Sequence, residues 1–561
     1  MRTFQVALAA LAFCAVPVLA QDQPPQQQSD AALNQVVDKI VARENAEMNT
    51  IRQYSPLVET YIQDTKQDKE EGWIPNGDRY FLGRAELAKG VELESLSQAN
   101  AAGHHFLTSL NTMFNFGVEF LPRGFLQMIY LDTSGLNKQD YHFEYARREF
   151  LGEIRTLAFD VTPTNPKSKG RFIGRIWVED QNYTIVRFNG AYTGSSHSNL
   201  YFHFDSWRVN AGPNLWLPAF IYSEEKDMRY ALGKTLSFKA QTRIWGYDLG
   251  HNQQEQELSK ILVEGNTPIN DQSQQNNDVT PLQATRNWDR EAEDNVVDRL
   301  QRMGLIAPEG DVDKALDTII NNLEIGSNLD IEPEVRCRIL MTSTIESFNL
   351  GHTIVMSRGL IDVLPDEASF ATMLAEELAH IALGHEMDTQ YAFFDRLLLF
   401  DEKQTFRHFD FSRTKAEDDA ASVKAAEILQ KSTYKDQLKI PEMFLAELET
   451  RAKEVPNLIS PKLGNAILAK PPVVADTADK PTATEIVALP LGGRVKLDPW
   501  NDKLDLLKSK PVRVITEREK MPFEVTPFMP YLTRENTGIP QTAVTADSKQ
   551  NTDKPQPPDK Q

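Results

Sequence analysis

The sequence predicts an α+β fold: an amino-terminal antiparallel β domain with half-barrel character, then a mostly helical domain carrying a small edge sheet. Three observations lead there. From about residue 80 to 250, short runs of branched and aromatic residues alternate with polar turns, as where Arg171–Val178 and Tyr183–Phe188 flank Glu179–Asn182. Asn266–Pro281 is polar, carries two prolines and offers no periodic apolar face, which marks a boundary. Beyond it the apolar residues shift to helical spacing.

Taken in order, Met1–Ala20 has an early positive charge at Arg2, an apolar run from Val6 to Leu19 and small residues approaching Ala20. That is the layout of a cleavable secretory signal, so a periplasmic or extracellular location is expected. The run is too short for a membrane span, and no later segment approaches the roughly 20 apolar residues that a transmembrane helix needs. Residues 21–79 read as a polar leader and a helix, with Leu33, Val36, Val37, Ile40 and Val41 at helical spacing and helical character reaching Gln67. Residues 80–265 form the β domain, with further strands expected at Leu126–Leu131, Tyr201–Val209, Leu215–Tyr222 and Leu236–Tyr247. Residues 266–285 are the linker. Within 286–455 come helices at Trp288–Met303 and Val312–Leu323, stopped by Gly304 and Gly326, then strands at Val335–Met341 and Gly351–Ser357. A helix follows Pro365, with Asp366 and Glu367 in its first turn, and another covers Leu438–Val455. Residues 456–535 read as a proline-interrupted extension docked on the core, and 536–561 as a disordered tail.

A chain of 561 residues, 41% hydrophobic, can bury more than one core. Its net charge of −20 argues against nucleic acid as a partner. Once the signal is removed Cys337 stands alone, so no intramolecular disulfide can form and ordinary cores must supply stability.

The segment Leu374–His385 reads LAEELAHIALGH. In the HExxH arrangement two histidines at i and i+4 hold zinc from one helical face, and the glutamate beside the first acts as general base. Here Glu376 stands at the first histidine position, while Glu377 and His380 keep those of the base and the second ligand. At about 100° per residue Glu376 and His380 share a face. Zinc accepts carboxylate oxygen at about 2.0–2.2 Å, comparable with imidazole nitrogen, so a glutamate in that place remains a workable ligand. His385, five residues beyond His380, is a poor co-ligand and is expected to hydrogen-bond or pack nearby.

The longer run SFNLGHTIVMSRGLIDVLPDEASFATMLAEELAHIALGH, Ser347–His385, resembles the core of the Ste/HtpX-type peptidase family, which includes CAAX prenyl proteases and soluble periplasmic relatives. Asn349 and Met356–Leu360 match its Asn-containing segment and its edge strand ending in S-x-G-L. The resemblance implies an exported zinc metalloendopeptidase acting on envelope polypeptides, with Asn349, Gly351 and Ser357 at the substrate cleft. It implies Glu377 as the base and Glu376, His380 and Glu417 as ligands of a single zinc. Asp419, in the segment AEDDA with Glu417, would orient a ligand. With Glu376 in place of histidine the site gains one formal negative charge, which should weaken the metal's pull on its water and reduce activity. The alternative is an inactive pseudoprotease that binds polypeptide or lipoprotein clients as a chaperone would. Upstream, GRIWVEDQNYTIVRFNG, Gly174–Gly190, resembles the repeating hairpin of LolA-like lipoprotein-sorting proteins.

Overall fold

The computed structural model describes residues 25–69, 72–88, 91–96, 122–194, 201–229, 235–247, 280–385, 406, 409–467, 493–498, 503–508 and 523–534. The expected signal, residues 266–279 of the linker and the carboxy-terminal tail lie outside the described residues, while residues 281–285, expected as linker, already belong to a helix capped by Thr280.

Helix α1 (Pro25–Ile51) leads into strands β1 (Leu57–Asp68), β2 (Gly72–Glu86) and β3 (Glu92–Ser95). After the short α2 (Pro122–Gln127) come β4 (Tyr141–Leu151), β5 (Ile154–Pro163), β6 (Phe172–Glu179), β7 (Ile185–Tyr192), β8 (Phe204–Gly212), β9 (Leu215–Arg229) and β10 (Thr235–Trp245). They build one open ten-stranded sheet in the order β3-β2-β1-β10-β9-β8-β7-β6-β5-β4, antiparallel at every pairing. The mixed α+β class stands.

Two sequence expectations need correction. Helical character was expected to reach Gln67, but α1 ends at Ile51 and Leu57–Asp68 is a strand. Pro56 precedes it, and Leu57–Gln63 is buried on both faces, which erases the polar–apolar alternation that would have announced it. The strand expected at Leu126–Leu131 is instead the end of α2 and a turn, its Leu126, Ile129 and Leu131 plugging the core beneath α1.

One face of the sheet is closed by α1, whose Val37, Ile40, Met48 and Ile51 pack on Val58, Ile62, Phe188, Ile221 and Ile244. Arg208 of β8 fixes this helix through a forked pair with Glu44, Nη1 to Oε2 and Nη2 to Oε1 both at 2.7 Å, with neither side chain exposed.

The opposite face belongs to the second half. There α3 (Pro281–Arg302) and α4 (Asp311–Ser327) precede β11 (Arg336–Leu340), β12 (Glu346–Leu350) and β13 (Thr353–Ser357). Then follow α5 (Arg358–Val363), α6 (Glu367–Ala382), α7 (Lys415–Lys431), α8 (Lys439–Arg451), α9 (Pro456–Ile459), β14 (Asn465–Ala466) and a hairpin of β15 (Gly493–Asp498) and β16 (Lys503–Lys508). The small sheet runs β11-β13-β12-β14, with β11 parallel to β13. The expected edge strand from Gly351 is the β12–β13 turn followed by β13, and β13 lies between β11 and β12, so it is an interior strand rather than an edge. Gly351 has φ +57°, and an added Cβ would meet Glu293 Oε1 at 2.1 Å, so glycine is required twice over. Helix α4 runs through Gly326 to Ser327 and is capped by Asn328, in the left-handed region at φ 54°.

The halves share a core that joins Leu57, Tyr61, Trp207 and Trp245 to Leu300, Ile306, Leu340 and Met356. Polar side chains buried at the seam are paired across it. Glu59 of β1 accepts from Ser343 N at 2.7 Å and Ser343 Oγ at 2.6 Å, and within the sheet from Tyr80 Oη at 2.7 Å and Arg243 Nη1 at 3.0 Å. Asp78 accepts from the backbone N–H groups of Asn457 and Leu458, both at 2.9 Å. Segment 523–534 lies along the same face: Gln63 takes the Val525 N–H at 2.7 Å and donates to the Phe523 carbonyl, and Arg534 pairs with Glu179. No helix among the described residues is long and apolar enough to cross a membrane.

Because apolar and charge-assisted contacts both cross this seam, a chain cleaved at a protease site inserted between residues 266 and 279 should elute as one particle in native size-exclusion chromatography. Its pieces should part only in denaturant; separation in plain buffer would show that the seam does not hold the halves.

Candidate metal and acid–base site

Helix α6 starts where Asp366 accepts the Ser369 N–H at 2.9 Å, an N-cap placed directly after Pro365. Leu374, Ala375, Leu378 and Ala379 are fully buried, so the helix sits inside the second half, packed against α7, α4 and β12. That packing carries three titratable side chains into the interior.

Glu377 is 2% exposed. Its Oε1 accepts from Ser347 Oγ of β12 at 2.7 Å, and its Oε2 is buried with no hydrogen-bond partner among the described residues. Glu376 is half-buried and accepts from Ser422 Oγ of α7 at 2.6 Å. Burial, chiefly, pushes both carboxyls up to about 7; the Ser422 and Ser347 hydroxyls oppose this, and the neighbouring acids Asp418 and, for Glu377, Glu376 add to it. His380, 1% exposed, is held down at about 4 by burial, with the Arg413 guanidinium and His385 adding to it. It is therefore neutral at physiological pH. Its Nδ1 lies 2.9 Å from His385 Nδ1, so one ring donates and the other accepts. His385 thus supports His380 from the side, in keeping with the expectation that it bonds nearby.

On α7 the carboxylates divide their work. Glu417 closes a capping box with Thr414, its Oε2 accepting from Thr414 N at 2.9 Å and Thr414 Oγ1 at 2.8 Å. Asp418 turns toward α6, with Oδ1 3.7 Å from His380 Nε2. Asp419 is exposed. Of the expected residues, Glu376, Glu377 and His380 come together. Glu417 is the third residue of the neighbouring helix and bonds back to its Thr414 cap, and Asp418, which the sequence reading does not name, faces the imidazole. The spacing of Thr414 and Glu417 is itself the capping-box pattern, and that signal fixes which acid of AEDDA points inward.

The expected cleft residues are placed by β12 and its turn. Asn349, 1% exposed, shares a strand face with Ser347, donates to the Gly351 carbonyl at 3.2 Å and accepts from Arg413 Nη2 at 3.1 Å. Ser357, fully buried, caps α5 by accepting the Leu360 N–H at 3.1 Å and donates to the Thr344 carbonyl. Its role here is to hold the turn into α5. Ser347, Ser422 and Arg413 were not foreseen, because nothing in the sequence marks which hydroxyl or guanidinium will meet a distant helix.

Among the described residues no group of three His, Cys, Asp or Glu side chains is arranged to hold a metal ion. Imidazole nitrogen and carboxylate oxygen are donor types that zinc accepts. Two ligands of a tetrahedral zinc stand about 3.4 Å apart, close to the 3.7 Å between His380 Nε2 and Asp418 Oδ1. The Oε2 of Glu377 is an acceptor that no described residue satisfies, as expected of a group that meets a water or a substrate.

No protein-family model matches the chain, and no curated protein does. Among solved structures it is similar to a LolA superfamily protein from Nitrosomonas europaea at 14% identity and a TM-score of 0.18, a match covering 36% of this chain and 90% of that one.

The raised Glu377 carboxyl gives a stability test in metal-free protein. Its folded value of about 7 lies above the ordinary 4.5, so the native state keeps a proton that the unfolded chain releases. Stability from this group is intact below 4.5 and declines as pH rises toward 7. Replacing Glu377 by Gln removes the term, so the variant's melting temperature should gain on the wild type between pH 5 and about 7.5 and not below. A difference independent of pH would show that the carboxyl is not held protonated.

Proposed function

We propose that the chain is an exported metalloendopeptidase of the Ste/HtpX type, acting on envelope polypeptides. The single observation that carries this reading is Glu377: a buried carboxyl fixed by Ser347 at one oxygen and, among the described residues, unpartnered at the other, beside Glu376 and His380 on one packed helix. The spacing on α6 is that of the zinc-peptidase helix, and the export reading rests on the signal-like Met1–Ala20.

The neutral ring of His380 offers Nε2 as a metal ligand while its Nδ1 is held by His385. Glu376 would supply a second ligand and an acid of α7 the third, either Asp418, whose Oδ1 lies 3.7 Å from His380 Nε2, or Glu417, as the resemblance implies. When bound, zinc would polarise a scissile carbonyl and lower the pKa of a water. Once ionised, Glu377 would take the proton at Oε2, a carboxyl titrating at about 7 being matched to that task, while Ser347 keeps Oε1 aimed. Asn349 and Arg413 brace the strand that carries Ser347.

A second reading has its own observation. Glu376 already takes the Ser422 hydroxyl, and Glu417 already closes its cap, so two of the acids expected at the metal are engaged inside the protein. That suits a pseudoprotease that holds polypeptide or lipoprotein clients.

Metal analysis of the purified mature chain separates the two. The peptidase reading expects about one tightly held zinc per chain, hydrolysis of unfolded casein, and loss of hydrolysis with zinc retained in Glu377→Gln. Glu376→His should tighten zinc and raise hydrolysis by restoring the imidazole and removing a charge. Protein that stays empty of zinc and cuts nothing, yet binds casein, establishes the second reading.

A further inference from the structure

The strand that carries Ser347 to the acid–base cluster is not free at its outer edge. β14 pairs with β12 in antiparallel register, Asn465 opposite Ser347 and Ala466 opposite Glu346. An extended polypeptide laid beside Glu377 as an added strand would use this same edge and direction, the usual way a chain is received at a sheet margin. The protein's own backbone already lies there.

What holds it is largely one side chain. Glu346 is fully buried, and its Oε2 accepts from the N–H groups of Lys462, Leu463 and Gly464 at 2.9, 2.9 and 3.1 Å, while Thr344 Oγ1 donates to its Oε1. Three successive backbone donors closing on one carboxylate form a nest. The Leu463 carbonyl accepts the Phe411 N–H at 2.8 Å, and the Leu463 side chain is 3% exposed. At Gly464 the backbone comes so near that an added Cβ would lie 2.6 Å from the Ser347 carbonyl oxygen and 2.5 Å from Phe348 Cδ1. Against this, the paired stretch is only two residues long. A longer chain added to β12 would gain more ladder hydrogen bonds than the segment gives up.

We propose that Lys462–Ala466 is an internal occupant of the polypeptide-binding edge, latched by Glu346, and that it must leave before a client strand can pair with β12. The inference rests on the reading above that this groove receives polypeptide. The occupied state taxes client binding in proportion to its population, and releasing the latch removes the tax.

The test uses the full mature chain in a Glu377→Gln background, so that hydrolysis does not obscure binding. Glu346→Ala removes the latch; Gly464→Val, whose side chain would strike Phe348 and the Ser347 carbonyl, dislodges the segment by an independent route. Hydrogen exchange at the amides of 462–466 reports release, and exchange across β1 and β10 reports that the fold is intact. The expected result is faster exchange confined to 462–466, binding of fluorescein-labelled casein about tenfold tighter, and competition by a synthetic peptide copying Ser460–Ile467. Release with unchanged casein affinity overturns the proposal, as does continued protection of 462–466 in both variants. If the wild type nevertheless holds zinc and cuts casein, the peptidase reading survives that failure; if no form binds zinc, casein or the peptide, both fall together.

Discussion

Glu59 joins the large sheet to everything placed on it. A carboxylate buried in the middle strands of an antiparallel sheet would be costly if left bare, and here its oxygens are filled from both sides. Tyr80 and Arg243 come from the strands beside it, and the Ser343 backbone and hydroxyl come from the second half. Hydrogen bonds to a charged group contribute about 1.5–3 kcal/mol each, so the contact is strong as well as specific. Ser343 lies just before β12, and Ser347 of β12 holds Glu377. The orientation of the acid–base cluster is therefore referred, through a few residues of backbone, to a carboxylate on the other half of the molecule.

The cluster also changes how the glutamate at position 376 is to be understood. Formal charges summed over the sequence assign it a full negative charge, and from that follows a weakened metal. Burial alters the sum. With the Glu376 and Glu377 carboxyls both raised to about 7, the metal-free site at neutral pH does not carry all of the charge its composition suggests. A cation entering would release those protons as it bound, so affinity would depend on pH more steeply than at a site built from a histidine pair.

The parts of this arrangement legible in the sequence were those with local signatures. Helix α6 was announced by Pro365, Asp366 and its apolar face, and the proximity of Glu376, Glu377 and His380 followed from helical geometry alone. The hairpin of β6 and β7 showed in its branched and aromatic runs around a polar turn. β1 did not show, because a strand covered on both faces loses its alternation, and its Glu59 and Gln63 make it look polar. Which acid of α7 faces His380 depends on helix phase, set by the Thr414 cap. Ser347, Ser422 and Arg413 reach the site through tertiary packing, for which no spacing rule exists.

The strand order has a consequence for how the chain must be built. β1 lies between β2 and β10, and Leu57 is paired with Trp245, so the middle of the sheet cannot zip until almost the whole first half exists. Pairings so distant in sequence form slowly. A polypeptide emerging amino-terminus first would meanwhile present the apolar run of β1, Leu57, Val58, Tyr61 and Ile62, along an open margin, which is the kind of edge that seeds aggregation. The interval between the appearance of β1 and that of β10 is therefore the stage at which this chain is most open to wrong pairing, and a folding helper that shields the early strands would act there without touching the finished molecule.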